Sequence, residues 1–395
     1  MDHPGGVQSC VYSLIRGLNR RGVVPDILWD IEPDWSHLTR LNLKAGFQKI
    51  HFRMPTQWIT RFPNTLRYLL WIFNGYQGDP FHAQYDFFYL FYNGFFLSAD
   101  VPHLRYLSGP PLIPELNNST PGLRGAPYRL FRWLYQNYLR RWSPVYEFHQ
   151  ESLYVINSEF TARLFEQAHG VQLPIIHPPI DLSGRDFQPF DWSTRDTITY
   201  FSRFINYKRP HLVLKLAQRY PNMRCVLMGS VPENRKGYFE KLHRQARQMG
   251  LRNVVFLANP TNQRVREELA RTRFYIFPAK NEHFGMTTPE AIASGAIPYV
   301  HNSGGQIEIV TNELLRFDDE NYFENFNTIY SLDDLELEKI RSSLVAHVHS
   351  YAENIYIAKM LAYLDSPKGE DLAELTPNVE KSKSNGKSHS RVFES

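Results

Sequence analysis

The stretch FYIFPAKNEHFGMTTPEAIASG, residues 274–295, contains the pattern that decides the fold. An apolar, β-rich run is followed by a polar loop with Glu282 and then by a helix signal, in which Thr288 is predicted as the N-cap and Pro289 as the first helical residue. A strand that leads through a loop into a helix is part of a βαβ unit. The stretch therefore predicts a parallel sheet with Glu282 at the carboxyl end of a strand.

The same alternation of strand and helix continues on both sides of this stretch. The strand-like runs are TITYFSR, RCVLMGS, NVVFLAN, FYIFPA and IPYVHN, and helical patterns separate them. Strict alternation predicts a Rossmann-like domain with helices on both faces of its sheet, and we assign it to residues 190–345. Shorter apolar runs upstream, DFFYLFYN, RYLSGPP and SLYVINS, predict a second α/β domain over residues 1–185. We expect the two domains to face a cleft.

The C-terminal part is predicted to differ from these domains. A helix over residues 346–367 is expected to pack back toward the N-terminal domain. Residues 368–395 are polar and poor in aromatic side chains, so they cannot bury enough surface to offset the entropy of ordering. We expect them to form a disordered tail.

Composition excludes several classes of protein. The 395 residues include 44 basic and 40 acidic ones, a balance that does not indicate a nucleic-acid binder. The two cysteines, Cys10 and Cys225, have no companion at ligand spacing, so neither a disulfide framework nor a metal site is expected. No apolar run is long enough to span a bilayer, and MDHPGGVQSC is not a signal peptide. These features favour a cytoplasmic protein that touches a membrane only at its surface.

Two cations are predicted at the same sheet edge as Glu282. In SRFINYKRP, Arg203 ends a strand and Lys208 stands at the start of the next helix. Ligands of open α/β sheets bind at the carboxyl ends of the strands. Either residue alone is more often surface charge, but two cations beside a helix N-terminus would neutralise a diphosphate. Downstream, Gly304 and Gly305 in HNSGGQIEIV are predicted to allow close backbone approach to a ligand.

These residues resemble a known family. EHFGMTTPEAIASG matches the Glu-x7-Glu signature of the retaining nucleotide-sugar glycosyltransferases of family 4, the glycosyl transferases group 1, which have the GT-B fold. GGVQSCVYSLIRGL near the N-terminus is similar to the Gly-Gly loop and helix of that family. The wording of EHFG and HNSGG is most similar to that of lipid-linked-oligosaccharide α-1,2-mannosyltransferases. The resemblance covers most of residues 3–365.

The resemblance implies a role for each matching residue. Arg203 and Lys208 would bind the donor diphosphate, and Glu282 would bind sugar hydroxyls across the anomeric centre. The remaining assignments are backbone donors to sugar and phosphate from Phe284, Gly285, Met286 and Thr287, a ribose contact from Glu290, and a phosphate and acceptor loop at Gly5 and Gly6. Such enzymes are generally independent of metals and need no cofactor, so none is expected here. Glu282→Ala and Lys208→Ala are expected to abolish transfer and to leave the fold intact.

The sequence departs from the family pattern at two places. The family has a strand before the Gly-Gly loop, whereas four residues precede Gly5, so we expect that first strand to be missing unless Met1 is not the true start. The family often has a histidine where Ser108 stands, and His103 lies five residues earlier. Neither Ser108 nor His103 is predicted to be catalytic.

The stretch APYRLFRWLYQNYLRRWSP, residues 126–144, has two interpretations. Aromatic residues at helical spacing with flanking arginines are typical of a helix at an anionic membrane surface. A helix that packs on its own domain with solvated arginines is slightly favoured.

The function that these features imply is a retaining hexosyltransferase. It would move mannose from GDP-mannose to a glycan or lipid-linked acceptor, as in polysaccharide biosynthesis at the inner membrane surface. Two alternatives stay open: a UDP-sugar-dependent glucosyl or galactosyl transferase of the same fold, and a non-catalytic homologue that binds nucleotide-sugars.

Overall fold

The structure is a computed structural model that describes residues 6–29, 31–52, 54–55, 58, 76–77, 84–91, 103–109, 153–182, 192–232 and 236–365. Predictions for Gly5, for residues 126–144 and for the tail at 368–395 lie outside these ranges. Among the described residues, no helix is both long and apolar enough to cross a bilayer.

The C-terminal domain contains a six-stranded sheet. Its strands are β8 (Thr197–Phe201), β9 (Arg224–Gly229), β10 (Val254–Ala258), β11 (Thr272–Phe277), β12 (Ile297–His301) and β13 (Arg316–Phe317). Their order in the sheet is β10-β9-β8-β11-β12-β13, and every pair is parallel. Strands β8 and β12 are buried along their whole length, as expected for strands covered on both faces. The predicted α/β class is thus confirmed.

The side on which successive strands join the sheet changes between β8 and β11. The chain runs outward from β8 through β9 to β10, then returns to place β11 on the other side of β8. Loops that leave the sheet at such a switch point diverge and open a crevice, which is where doubly wound folds bind ligands. The loops that follow β8 and β11 contain the residues singled out above.

The N-terminal domain is described in three separate sheets. A parallel sheet joins β5 (Phe88–Leu90), β6 (His103–Leu107) and β7 (Leu153–Ile156). Two-stranded pairs join β1 (Asp26–Trp29) to β2 (Gly46–Lys49) in parallel, and β3 (His51–Phe52) to β4 (Tyr76–Gln77) in antiparallel orientation.

Helices flank the sheets of both domains. Those before residue 190 are α1 (Gly6–Arg20), α2 (Trp35–Arg40) and α3 (Glu159–His169). The later ones are α4 (His211–Arg219), α5 (Lys236–Gln248), α6 (Asn262–Ala270), α7 (Thr287–Ala293), α8 (Gln306–Ile309), α9 (Tyr322–Tyr330), α10 (Asp334–Val348) and α11 (Glu353–Asp365). Helix α3 begins at the capping residue Ser158 and ends at Gly170 with φ 68°, as its sequence signals predict.

Helix α11 belongs to the core of the N-terminal domain. On helix α1, Cys10, Leu14 and Leu18 recur at i, i+4 spacing and pack with Tyr356 and Met360 of α11. Full burial of a leucine or methionine side chain contributes about 1.5–3 kcal/mol by removing it from water. The helix expected over residues 346–367 therefore occupies Glu353–Asp365, because α10 ends at Val348 and a 3₁₀ turn intervenes.

The chain crosses between the domains at two adjacent segments. Ile180 and Ala352 form a parallel bridge, in which the Ile180 N–H donates to the Tyr351 carbonyl at 2.8 Å and the Glu353 N–H donates to the Ile180 carbonyl at 3.1 Å. The two crossings are thus hydrogen-bonded to each other, which makes this pair the connection about which the domains meet.

Candidate active site at the switch point

Lys208 places a buried ammonium at the switch point. After β8 the chain forms one 3₁₀ turn, Asn206–Lys208, which turns the Lys208 side chain inward. Lys208 is 4% exposed, and its Nζ donates a hydrogen bond to Glu282 in the loop after β11. The ammonium also lies 5.1 Å from the ring centre of Phe277 and 5.3 Å from that of Tyr207. Lys208 is therefore not the surface lysine that the sequence most simply suggests.

The pair is held ionised by its surroundings. Burial by itself would raise the pKa of Glu282, but the positive charge and hydrogen bond of Lys208, with the charge of Arg203, outweigh burial and lower that pKa. Burial lowers the pKa of Lys208, while Glu282 acts in the opposite direction. A carboxylate and an ammonium with so little solvent are each stabilised chiefly by the other. Chemically, the pair offers a fixed anion beside a fixed cation at the floor of the crevice.

Arg203 brings a second cation to the same crevice. Its side chain is exposed, and its guanidinium donates to the hydroxyl of Tyr207 at 3.1 Å. Its charge contributes to lowering the pKa of Glu282, so the two side chains share one electrostatic environment. The structure thus brings Arg203, Lys208 and Glu282 together, and Arg203 is the most exposed of the three.

The Glu282 loop is held by Gln306, a residue that sequence reasoning missed. The Gln306 amide donates to the Phe284 carbonyl at 2.6 Å, and its oxygen accepts from the Thr288 hydroxyl at 2.6 Å. Gln306 is fully buried, although nothing in its sequence context, GGQIEIV, marks it as a buried residue. A Cβ added to Gly285, whose φ is 92°, would stand 1.6 Å from the Gln306 amide nitrogen. Glycine at 285 is therefore required by this clamp.

Gly304 and Gly305 have a structural role that the sequence analysis did not predict. Both glycines allow a close approach of the backbone of the Glu282 loop, and their predicted approach to a ligand stays a prediction. A Cβ on Gly304 would stand 2.4 Å from the Glu282 carbonyl oxygen, and one on Gly305 would stand 2.2 Å from that of His283. The Gly305 N–H donates to the Glu282 carbonyl at 2.7 Å. The HNSGG segment therefore supports the backbone of the Glu282 loop.

The start of helix α7 also differs from the prediction. The helix begins at Thr287 with Met286 at the N-cap, and no side chain caps it. Thr288 does not serve as the cap because its hydroxyl donates to Gln306 instead. Pro289 stands third in the helix, where its missing N–H is one of the groups that lack an intrahelical partner in any case.

The other predicted donor residues surround this loop. The Phe284 ring is 2% exposed and packs between His177 and Tyr351, so only its backbone is positioned to face a ligand. Glu290 lies in the first turn of α7. A Cβ on Gly6 would stand 2.9 Å from the Met286 sulfur, which places the start of helix α1 against the end of the Glu282 loop.

The two N-terminal polar candidates lie at opposite ends of β6. Ser108 follows the carboxyl end of the strand, where its carbonyl accepts from the Asn157 amide at 3.2 Å. His103 is the first residue of the strand and is 1% exposed. Because a strand rises about 3.3 Å per residue, His103 lies well away from the carboxyl edge and cannot replace a side chain at 108.

His301, at the end of β12, supports the Glu282 loop from below. Its Nδ1 lies 2.9 Å from the Ser303 hydroxyl, which accepts from the Asn281 N–H at 2.9 Å. Burial, with the charges of Arg209 and Lys280, lowers the pKa of His301 to about 4, although Asp319 acts in the opposite direction.

Acidification is therefore expected to destabilise the protein through His301. The unfolded chain takes up a proton near pH 6.5 whereas the folded one resists it down to about pH 4, so stability falls as the pH falls through this window. At pH 5 the loss is about 2 kcal/mol. Urea unfolding at pH 7 and pH 5 measures it. His301→Asn should remove this part of the pH dependence, and His349→Asn, at an exposed position, should not; equal slopes in all three proteins would contradict the assignment.

Comparison with known proteins agrees with this arrangement. The profile for Glycosyltransferase Family 4 matches residues 4–183, and that for Glycosyl transferases group 1 matches residues 185–322. Among solved structures, Anabaena HepE in complex with UDP-glucose is similar with a TM-score of 0.65 at 17% identity, over 93% of this chain and 97% of that one. Sucrose-phosphate synthase from Thermosynechococcus elongatus is similar with a TM-score of 0.66 at 13% identity, over 92% and 93% of the two chains. Identities this low establish the fold alone.

Curated relatives share the sequence over shorter stretches. The enzyme named GDP-Man:Man(3)GlcNAc(2)-PP-Dol alpha-1,2-mannosyltransferase from Dictyostelium discoideum is 24% identical over 231 residues, which is 53% of this chain and 40% of that protein. The enzyme of the same name from Yarrowia lipolytica is 31% identical over 121 residues, or 27% and 19% of the two chains. The matches thus span at most 40% of these relatives' length. With both domains matched in chain order, the protein belongs to the family 4, group 1 glycosyltransferases, and its fold is GT-B.

Proposed function

We propose that this glycosyltransferase moves a hexose, with mannose as the first candidate, from a nucleotide-sugar to a glycan or lipid-linked acceptor. Transfer proceeds with retention at the anomeric carbon and without a metal ion. The observation that carries the proposal is the buried Lys208–Glu282 pair beside the exposed Arg203 at the switch point of the sheet.

The charges at the crevice suit a sugar diphosphate. The guanidinium of Arg203 and the ammonium of Lys208 neutralise the diphosphate, a task that metal ions perform in other enzymes. The carboxylate of Glu282 accepts hydrogen bonds from sugar hydroxyls, and the fixed ammonium keeps it ionised. The backbone N–H groups of Met286 and Thr287, at the start of α7, lack an intrahelical acceptor, and we propose them as donors to the same ligand.

The reaction that follows balances without a further reagent. The bond between the anomeric carbon and the diphosphate oxygen breaks, and its electron pair stays on the phosphate, where Arg203 and Lys208 stabilise it. The acceptor oxygen forms its bond on the same face of the sugar. Its proton passes to an oxygen of the departing phosphate, which is why retention needs no separate base.

The donor is proposed from the relatives. The curated relatives are named for GDP-mannose, which makes GDP-mannose the first candidate. HepE was solved with UDP-glucose, so UDP-sugars remain the second class to be tested. A non-catalytic homologue would bind one of these nucleotides and transfer nothing.

Calorimetric titration of the full chain tests the proposal. GDP, UDP, GDP-mannose and UDP-glucose are titrated with EDTA present, and radiolabelled donors then test transfer to lipid-linked and free glycans. Selective binding of one nucleotide followed by metal-free turnover is the expected result. A folded protein that binds none of them contradicts the proposal, and binding without turnover on any acceptor favours the non-catalytic alternative.

Arg203→Ala is expected to weaken binding of the preferred nucleoside diphosphate about tenfold, or about 1.4 kcal/mol, because one charge-assisted contact to phosphate is lost. Since Arg203 is exposed, the melting temperature should stay within about 2 °C of wild type. Arg247→Ala, on the exposed face of α5, is the control and should leave affinity unchanged. Equal affinities of both variants would remove Arg203 from the site.

A lipid-linked acceptor would place the reaction at a membrane surface on the cytoplasmic side. Flotation of the full chain with liposomes that contain such an acceptor is the measurement that bears on this part of the proposal.

A further inference from the structure

The short helix α8 contacts both domains. Gln306, at its start, clamps the Glu282 loop as described above. Two residues later, the carboxylate of Glu308 accepts hydrogen bonds from the backbone N–H groups of Glu159 at 2.9 Å and Phe160 at 2.8 Å. These are the first two residues of helix α3 in the N-terminal domain. The Glu308 side chain is 6% exposed, so the contact is largely closed to water.

The contact satisfies groups that a helix cannot satisfy alone. The first N–H groups of a helix have no intrahelical acceptor. The Ser158 hydroxyl accepts from the Thr161 N–H at 3.1 Å, and Glu308 accepts from the two N–H groups before it. A carboxylate is further stabilised by the positive end of the helix dipole. Glu308 thus caps a helix of the opposite domain.

Glu308 is also joined to both interdomain crossings. Its carboxylate lies 3.2 Å from the His177 Nε2, and its carbonyl accepts from the Tyr351 hydroxyl at 3.0 Å. The rings of His177 and Tyr351 enclose Phe284, at centroid distances of 5.5 and 5.3 Å. One continuous set of contacts therefore runs from the Glu282 loop, past the two interdomain crossings, to helix α3.

We propose that Glu308 is a positioning residue, which holds the N-terminal domain closed over the Glu282 loop so that acceptor and donor meet. This rests on the proposed function. Because its side chain is only 6% exposed, Glu308 is proposed to act through helix α3 on one side and through its own helix α8 on the other, and not by contact with a substrate. Loss of the Glu308 carboxylate should therefore separate the domains, while the Glu282 loop, which Gln306 clamps, stays in place.

Glu308→Gln in the full chain tests the proposal, with the exposed Glu313→Gln as matched control. We expect nucleotide affinity within twofold of wild type, kcat lowered at least tenfold, and a larger radius of gyration by small-angle X-ray scattering. Glu313→Gln should match wild type in all three. A Glu308→Gln protein with wild-type kcat and radius of gyration overturns the proposal.

A second variant keeps the test independent of changes in the C-terminal domain. Glu159 is exposed and first in helix α3, and Ser158 before it has φ −162° and ψ 157°, so proline is compatible with this position. Glu159→Pro removes one N–H donor to Glu308 and should lower kcat several-fold, whereas Glu159→Ala keeps the donor and should not. Equal kcat in these two variants counts against Glu308.

Failure of the proposed function would be recognised separately. The proposed function is refuted if the wild-type protein neither binds a nucleotide-sugar nor transfers its sugar. The scattering comparison then judges Glu308 alone: an expanded Glu308→Gln protein supports the interdomain contact, and an unchanged one refutes it.

Discussion

Lys208→Met is expected to lower the free energy of unfolding by about 3–5 kcal/mol, because it leaves the carboxylate of Glu282 buried without its partner. This revises the sequence-based expectation that Lys208 can be removed without cost to the fold. The exposed fractions of the two side chains, 5% for Lys208 and 16% for Glu282, leave little water to replace the lost ammonium. Urea unfolding measures the change.

The double variant Lys208→Met/Glu282→Gln should recover most of that stability, since no unpaired charge remains. Turnover should stay at least a thousandfold below wild type in both proteins, because the groups proposed to act on the diphosphate and the sugar are gone. Stability and activity thus change independently, as expected for a pair retained for chemistry.

Lys280→Met is the matched control. Lys280 pairs with Asp319 at 2.6 Å, but the two side chains are 49% and 39% exposed. Such a pair contributes at most about 1 kcal/mol. If Lys208→Met cost no more than Lys280→Met, or if the double variant kept its turnover, the description of the site would be wrong.

Gly304→Ala is expected to destabilise the protein by more than about 2 kcal/mol and to lower turnover at least a hundredfold. The φ of Gly304 is 74°, a backbone conformation that residues with a side chain disfavour. The new methyl group would also stand 2.4 Å from the carbonyl oxygen of Glu282 and 2.6 Å from the backbone nitrogen of Glu282. Because these are backbone atoms, relief requires movement of the loop that holds the Glu282 side chain. Thermal unfolding and turnover assays measure the two effects.

Gly237→Ala serves as the control for this substitution. Gly237 lies on an exposed face of helix α5, and a Cβ there meets nothing within 4 Å. Because Gly237 is only the second residue of its helix, alanine there should change stability by less than about 1 kcal/mol and leave turnover unchanged. A Gly304→Ala protein that behaved in the same way would show that the close approach to Glu282 is not needed.

The C-terminal domain could be predicted because its signals are local. Each strand is a short apolar run, and each helix follows it at once, so the parallel sheet follows from alternation alone. The start of α7 was less predictable. The Thr288 hydroxyl is a good cap by type, but its acceptor is Gln306, which lies 18 residues away in sequence.

The candidate site divides in the same way. Arg203, Lys208 and Glu282 could be grouped because each follows a strand, and parallel strands end at one edge. The burial of Lys208 could not be predicted, since a lysine five residues after a strand is ordinarily exposed. Glu308 was missed altogether, because its partner at Phe160 lies 148 residues away.

The sequence by itself determined the class of fold, the family and the three charged residues at the sheet edge, because these depend on periodicity and on motifs within a few residues. Tertiary structure alone decided that Lys208 and Glu282 form a buried pair, that Gly304 receives the backbone of the Glu282 loop, and that Glu308 caps a helix of the other domain. Each of these depends on burial or on contact between distant segments, and neither is encoded in local spacing.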